Sequence, residues 1–231
     1  MKTTKITGLL FILGALGVFI PYTILNITFD YPDILRQDVG LVLTKFHQGG
    51  NTLILTWWLF AILGLPMLVA YKQLGMKLEN KSVSVSWLTT IGIIGLVVQM
   101  IGLLRWTFVV PILASNYYLG NDTTKEIAKA MFQVVHQYGG VVLGEHLGQL
   151  FTIIWVIGIT RVLQVNKLVP VWINWLGYGS SFVYLFAQAE LFATVIPSFP
   201  VWDMAGFVGS TLWLVWLISL GVDLIRTKKS F

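Results

Sequence analysis

The chain contains no cysteine, and that absence removes several kinds of chemistry. Disulfide bonds, thiolate metal sites, iron–sulfur clusters and thiol nucleophiles all require this side chain. Charged residues are also scarce, at 11% of the sequence against 56% for hydrophobic residues. So few charged groups cannot cover the surface of an ordinary soluble globular protein. The composition therefore indicates a protein that lies in a lipid bilayer.

Common catalytic motifs are absent as well. No G-x-S-x-G, HExxH or CxxCH pattern occurs, so the sequence does not indicate a familiar hydrolase, a zinc protease or a covalent haem site. An enzyme is the less favoured class, and no catalytic residue is assigned. The net charge is +5, but the basic residues are spread over short loops rather than along one stripe. This distribution argues against a nucleic-acid partner.

Long apolar stretches are what the sequence has in abundance. Each is long enough for a helix to cross about 30 Å of hydrocarbon. They are residues 6–28, 51–71, 87–110, 137–160, 171–194 and 204–225. We therefore predict an all-α fold, an integral membrane bundle of six transmembrane helices, in one domain that covers residues 1–231.

The basic residues predict the orientation of these helices, because short loops rich in Lys and Arg stay in the cytoplasm. If the N-terminus is inside, the inner segments hold Lys2, Lys5, Lys72, Lys77, Lys81, Arg161, Lys167, Arg226, Lys228 and Lys229. The outer segments then hold only Arg36, Lys45, Lys125 and Lys129. Both termini are therefore predicted to be cytoplasmic, in a plasma or inner membrane.

Two sizeable connections, residues 29–50 and 111–136, are predicted on the outer side. Between Thr123 and Val135 the apolar residues recur at helical spacing after a Thr or Asp that can cap a helix. This pattern predicts a short interfacial helix immediately before span four.

A small set of ionisable side chains falls within the predicted spans. These are Arg105, Glu145, His146 and Glu190, all in the predicted outer half, with His47 and His136 at the outer ends of helices. Such groups are costly in lipid and mark functional sites. A guanidinium at this depth must either extend to the membrane interface or find a carboxylate, and we predict that Arg105 pairs with Glu145 or Glu190.

Span four carries the densest polar pattern. In an α-helix, Glu145, His146 and Gln149 share one face, and Gln99 and Gln188 are candidates to extend their network. Gly140, Gly144 and Gly148 recur every four residues, which predicts a smooth stripe for close helix packing within the chain. A homo-oligomer interface is the alternative use of that stripe.

The three histidines are the candidate metal ligands. Neutral imidazoles of His47, His136 and His146 are able to bind a divalent metal or haem, with a glutamate as a further ligand. Their spacing matches no known metal motif. For His47 and His136, hydrogen bonds to loop backbone are the simpler interpretation.

Two stretches carry a resemblance to a known family. They read Leu104-Arg105-Trp106, Val110-Pro111 and Leu113-Ala114, followed by His136, Tyr138-Gly139-Gly140 and the run from Leu143 to Gln149. Together they resemble DUF4386, an uncharacterised family of multi-pass bacterial membrane proteins. The resemblance implies a prokaryotic membrane protein of this length, and it implies no activity, substrate or cofactor.

The leading interpretation is an outward-facing polar pocket that binds a small ligand, an ion or a lipid headgroup. Its candidate residues are Arg105, Glu145, His146, Gln149, Glu190, His136 and His47. One alternative is a membrane oxidoreductase that holds haem or a metal at the histidines. Others are a small-solute transporter and a structural subunit of a membrane complex. The transporter is disfavoured because the predicted inner halves of the spans are dominated by Leu, Ile, Val and Trp.

Overall fold

The computed structural model describes residues 2–227, with side chains from Thr4 onward. Within those residues the protein is 87% helical and has no strand, so the all-α prediction is confirmed. Three of the basic residues that predict the topology are outside the described part of the chain. They are Lys2, whose side chain is not described, and Lys228 and Lys229.

Nine α-helices occur between residues 2 and 227. They are α1 (Lys2–Phe29), α2 (Val39–Ile62), α3 (Leu65–Leu78), α4 (Val85–Phe108), α5 (Val110–Leu119), α6 (Asp122–Val135), α7 (Gly148–Val165), α8 (Val171–Ala193) and α9 (Ala205–Arg226). A π-helix, His136–Leu147, joins α6 to α7. Short 3-10 helices cover Asp33–Arg36 and Glu79–Lys81.

Five helical segments of the described chain are long and apolar enough to cross a membrane. They are Thr4–Phe29, Val39–Lys81, Val85–Leu119, Asp122–Val165 and Ala205–Arg226. Helix α8 covers the fifth predicted span with 23 residues but is not among these five. The multi-pass helical character is therefore confirmed, and the count of six spans stays a prediction.

The two predicted outer connections are themselves largely helical. Helix α2 already begins at Val39, where the carboxylate of Asp38 accepts a hydrogen bond of 3.1 Å from the backbone N–H of Leu41. Helix α5 has Pro111 in its first turn, where the missing N–H of proline costs nothing. The helix predicted over residues 123–135 is present as α6, but its cap is Asn121, which accepts from the N–H of Thr124 at 3.0 Å.

The second predicted span is not one continuous helix. Helix α2 ends at Ile62 and α3 begins at Leu65, with Pro66 in its first turn. Since proline cannot donate to the preceding turn, Pro66 starts a new helix. Gly50 has a φ of 55°, which interrupts α2 with a conformation that other residues adopt only with strain.

The chain packs as two compact units. Within the described residues, the first unit comprises residues 2–16, Gly64–Val97 and residues 146–227, and the second comprises Gly17–Leu63 and Val98–Glu145. In the first unit, the rings of Tyr71 and Trp155 stack with centroids 3.5 Å apart. Its helices α7, α8 and α9 pack in sequence order.

The core of the second unit is aromatic. The indoles of Trp57 and Trp106 stack at 4.7 Å between centroids, and both side chains are fully buried. Phe29 packs its edge against both, at 6.2 Å from Trp57 and 5.6 Å from Trp106. These offset and edge contacts are favourable arrangements for aromatic rings. They fix Trp106, and with it the neighbouring Arg105, within the unit.

We expect Trp106→Ala to lower the free energy of unfolding by about 3–5 kcal/mol, because it removes a fully buried indole from this stack. Chemical unfolding in detergent micelles measures the effect. Trp87→Ala is the control, since Trp87 is 51% exposed. Equal losses for the two variants would contradict the account of this core.

Candidate functional site

The segment that carries most of the predicted site residues is a π-helix. Residues His136–Leu147 form i→i+5 hydrogen bonds, a rare geometry that is frequent at functional sites. The sequence pattern predicts an α-helix here, and the α-helical neighbour relations assumed for Glu145, His146 and Gln149 are wrong upstream of Gly148. Glycines within the segment lower its preference for the α-helix.

The glycines of this segment allow close packing inside the second unit. A Cβ atom added at Gly102 of α4 would lie 2.7 Å from the Cα of Gly144. No side chain fits between these two backbones. The predicted packing along the glycine stripe is confirmed for this pair.

Arg105 is buried in the second unit, with 8% of its surface exposed. Its Nη1 donates to the backbone oxygen of Gly102, one helical turn earlier. Its Nη2 lies 3.4 Å from Nδ1 of His136. Its Cζ is 5.2 Å from the ring centroid of Trp106, which places the cation within reach of the indole π-system.

The contact with Arg105 determines which ring nitrogen of neutral His136 carries the proton. A guanidinium can only donate hydrogen bonds, so Nδ1 of His136 must accept, and the proton of the neutral ring is on Nε2. That Nε2–H is buried and has no hydrogen-bond partner among the described residues. The same holds for Nε–H of Arg105. The imidazole is held in place by stacking on Phe132, with centroids 5.4 Å apart.

The backbone of the π-helix forms the surface on which the guanidinium rests. A Cβ atom added at Gly140 would lie 2.4 Å from Nη2 and 2.7 Å from Cζ of Arg105. Such distances are far below van der Waals contact, so any side chain at Gly140 would displace the guanidinium. The position of Arg105 therefore depends on a residue without a side chain.

The prediction that Arg105 forms an ion pair with Glu145 or Glu190 is wrong for the described residues. Glu145 instead pairs with Arg36, whose Nη2 lies 3.1 Å from Oε2. No ion pair in the described part of the chain includes Arg105. Because Arg36 and Glu145 are distant in sequence, no local pattern indicates that they meet.

The other predicted residues form separate contacts. In the second unit, His47 stacks on Tyr118 with centroids 4.4 Å apart. In the first unit, Nδ1 of His146 lies 2.7 Å from Oε1 of Gln188, and Nε2 of Gln188 donates to Oε1 of Gln149 at 2.6 Å. The predicted link through Gln188 is confirmed.

Glu190, the remaining predicted residue, lies half-buried on α8 in the first unit. The predicted site residues thus divide between the two units. The single pocket built from all of them stays a prediction.

The three histidines have no geometry that supports a metal site. Between residues 2 and 227, no group of three or more His, Asp or Glu side chains is arranged to hold a metal ion. His47, His136 and His146 each have the aromatic or polar contacts described above. The described residues therefore provide no such ligand group for a metal ion, and the haem alternative stays a prediction.

Comparison with known proteins gives one match. The model of the family "Domain of unknown function (DUF4386)" matches residues 6–221. The chain belongs to the DUF4386 family. No curated protein and no solved structure matches it. The resemblance noted in the sequence is confirmed, and the match to this family assigns no activity.

Sequence reasoning missed three parts of this candidate site. Arg36 was counted only as a loop charge, although its ion pair with Glu145 is one of the main polar contacts of the second unit. Trp106 adjoins Arg105 in sequence, so its contact with the guanidinium had a local signal. Gly140 was assigned to helix packing, whereas it contacts Arg105.

We expect Gly140→Ala to destabilise the DUF4386 protein by about 1–3 kcal/mol, because the new methyl group overlaps the guanidinium of Arg105. Gly179→Ala is the matched control, since a Cβ there meets nothing within 4 Å. The control should be neutral or slightly stabilising, as alanine favours a helix. Chemical unfolding of both variants measures the difference, and equal stability would contradict the packing of Arg105 on Gly140.

A double-mutant cycle distinguishes the two arginines as partners of Glu145. Arg36→Gln and Glu145→Gln should show a coupling energy of about 0.5–1 kcal/mol, as expected for a partly exposed ion pair. The cycle of Arg105→Gln with Glu145→Gln should give a smaller value. A larger coupling to Arg105 would restore the pairing that the sequence alone suggests.

Proposed function

We propose that this protein is a multi-pass membrane protein whose second unit binds an anionic group at Arg105 and His136. The ligand class is a carboxylate or phosphate, presented by a small molecule or by a lipid headgroup. The observation that carries the proposal is a pair of buried N–H donors, Nε of Arg105 and Nε2 of His136, with no partner in the described chain.

The two buried N–H groups of Arg105 and His136 lack acceptors, which raises the free energy of the folded state. A buried donor without an acceptor costs about 1–3 kcal/mol, and more when it is charged. Arg105 has contacts for Nη1 and Nη2 but none for Nε, and its positive charge has no ion-pair partner at contact distance. An oxygen with negative charge supplies both the missing acceptor and the missing countercharge. Arginine is well suited to carboxylate and phosphate because its donors form a planar fork.

His136 adds selectivity for an acceptor. Its Nδ1 is occupied by Arg105, so Nε2–H is the donor it offers. A cation, or a ligand that carries only hydrogen-bond donors, meets two N–H donors at this position and finds no acceptor. The pair therefore favours an oxyanion over a metal ion or an amine.

The proposed membrane arrangement has six spans, with α8 as the fifth, both termini in the cytoplasm and the Arg105 cluster in the outer half of the bilayer. The excess of Lys and Arg in the predicted inner segments supports this orientation. We propose that α6 lies in the outer interface. Its residues Ile127, Met131 and Val134 form an apolar stripe that is 60%, 50% and 65% exposed, which suits the boundary of headgroups and acyl chains.

The test is thermal stabilisation by defined anions. Protein purified in an uncharged detergent is heated with inorganic phosphate, with acetate and with chloride at equal ionic strength. Phosphate or acetate should raise the melting temperature, because a ligand that binds only the folded state stabilises it. Arg105→Gln should abolish the rise, and His136→Phe should reduce it while keeping the stacked ring.

Lys129→Gln is the control for general charge effects, because Lys129 carries an exposed ion pair with Glu126. It should leave the rise unchanged. Vesicles of phosphatidylglycerol and of phosphatidylcholine distinguish a headgroup from a free anion. The proposal fails if Arg105→Gln keeps the full rise, or if no anion or anionic lipid stabilises the wild-type protein.

A further inference from the structure

A second polar feature lies entirely within the first unit, where α7 packs against α8. Polar residues and one glycine recur on these two helices at spacings of three and four residues, except for a step of eight residues between Thr152 and Thr160. We call this set the α7–α8 seam. It comprises His146, at the end of the π-helix, and Gln149, Thr152 and Thr160 of α7, with Asn174, Gly177, Ser181, Tyr184 and Gln188 of α8.

Contacts at two positions along the helix pair define which faces of α7 and α8 pack together. Near one end, Gln149 accepts a hydrogen bond from Gln188. Further along, a Cβ atom added at Gly177 would lie 2.4 Å from Oγ1 of Thr160. Eleven positions separate the two contacts on each helix, so the antiparallel register is constant and the residues between them face one another.

The seam extends over much of the thickness of a bilayer. From Asn174 to Gln188 it extends over about 21 Å at a rise of 1.5 Å per residue. That is about two thirds of a 30 Å hydrocarbon core. Seven members are buried, and these are Thr152, Thr160, Asn174, Gly177, Ser181, Tyr184 and Gln188.

At the His146 end the hydrogen bonds have a defined direction. Gln188 donates through Nε2 to Gln149, so its Oε1 faces His146 and must accept. Nδ1 of His146 is therefore the donor of that bond. In the neutral ring, Nε2 of His146 is left as an acceptor, and the amide N–H groups of Gln149 are left as donors.

At the other end, three buried polar atoms have no partner in the described chain. They are Oγ1 of Thr160, Oδ1 of Asn174 and Nε1 of Trp216 on α9. Nε1 of Trp216 would lie 2.7 Å from a Cβ at Gly177, so it reaches the same place as Thr160. Asn174 lies one helical turn before Gly177. The three atoms offer an acceptor, a donor and a hydroxyl, which a molecule with both O–H and lone pairs satisfies together.

Hydrogen bonds across the interface account for only part of this pattern, at His146, Gln149 and Gln188. Polar residues that hold membrane helices together form hydrogen bonds across the interface. In the seam, the hydroxyl of Ser181 instead donates to Gly177 of its own helix, at 2.9 Å. Thr160 and Asn174 carry buried polar atoms that bond to nothing in the described residues. Unused hydrogen-bonding groups of this kind are typical of sites that hold water or a solute.

We propose that the α7–α8 seam is a hydrated path for water and small uncharged hydroxylated molecules. The seam contains no Asp, Glu, Lys or Arg, so it offers no charge to bind or balance an ion. The apolar character of the predicted inner halves disfavours a transporter, but Thr160 and Asn174 are neutral polar side chains that lie within those halves. This proposal does not depend on anion binding at Arg105.

The absence of native cysteine makes the test direct, since each single-cysteine variant carries one thiol. Thr160→Cys and Ser181→Cys, both of similar size to the native residue, are reacted in membrane vesicles with methyl methanethiosulfonate. The reaction requires a thiolate, which forms only where water solvates it. Both should react much faster than two controls on α7. These are Ile159→Cys, at a buried apolar position, and Ile157→Cys, at one that is 42% exposed on the surface of the bundle.

Osmotic shrinkage of proteoliposomes then tests conduction. Wild-type protein should speed water loss relative to protein-free liposomes, and Thr160→Leu should abolish the increase by filling the seam. Thr90→Leu, at an exposed hydroxyl that bonds to its own helix, should leave the increase unchanged. The proposal is overturned if Thr160→Cys and Ser181→Cys react as slowly as Ile159→Cys. It is also overturned if Thr160→Leu conducts water as the wild type does.

Discussion

The burial of one guanidinium against bare backbone is the constraint on which the second unit depends. Arg105 fits beside the π-helix only because Gly140 has no side chain. That contact sets the position of Nη2, which in turn makes His136 an acceptor at Nδ1 and a donor at Nε2. The aromatic packing of Trp106 and Phe132 holds the same two residues from other sides. One steric condition thus determines which hydrogen-bond donors the cluster offers.

The two units use polar groups in different ways. In the second unit, a cation and a neutral ring present donors, and the nearest ion pair, Arg36 with Glu145, leaves Arg105 without a contacting carboxylate. In the first unit, the residues of the α7–α8 seam are uncharged, and most carry amide or hydroxyl groups. A buried charge calls for an opposite charge, whereas neutral polar groups are satisfied by water. The chemistry expected of each unit follows from that difference.

The sequence was informative where physical signals are local. Composition indicates the membrane, the apolar stripe and polar start of residues 122–135 predict α6, and the motif around Glu145 and His146 identifies the family. The sequence also identified Arg105 and His136 as residues of interest, because buried ionisable groups stand out among apolar neighbours. Each of these inferences uses residues that are close together in the chain.

The partners of those residues depend on geometry that no local pattern encodes. The pairing of Glu145 with Arg36 joins positions that are 109 residues apart. The π-helix was not predicted, because its sequence fits the apolar period of an α-helix equally well, and the change in winding alters which side chains are neighbours. Thr160 and Asn174 were passed over because each is unremarkable alone, and only the register of α7 and α8 aligns them.

The protonation of His136 is the most direct measure of the central claim. Nitrogen-15 NMR of the histidine side chains, assigned with His136→Phe, reports which ring nitrogen carries the proton. The account predicts a neutral ring with the proton on Nε2, and a change in the Nε2 resonance when phosphate or an anionic lipid is added. A proton on Nδ1, or an Nε2 resonance that no anion shifts, would contradict it.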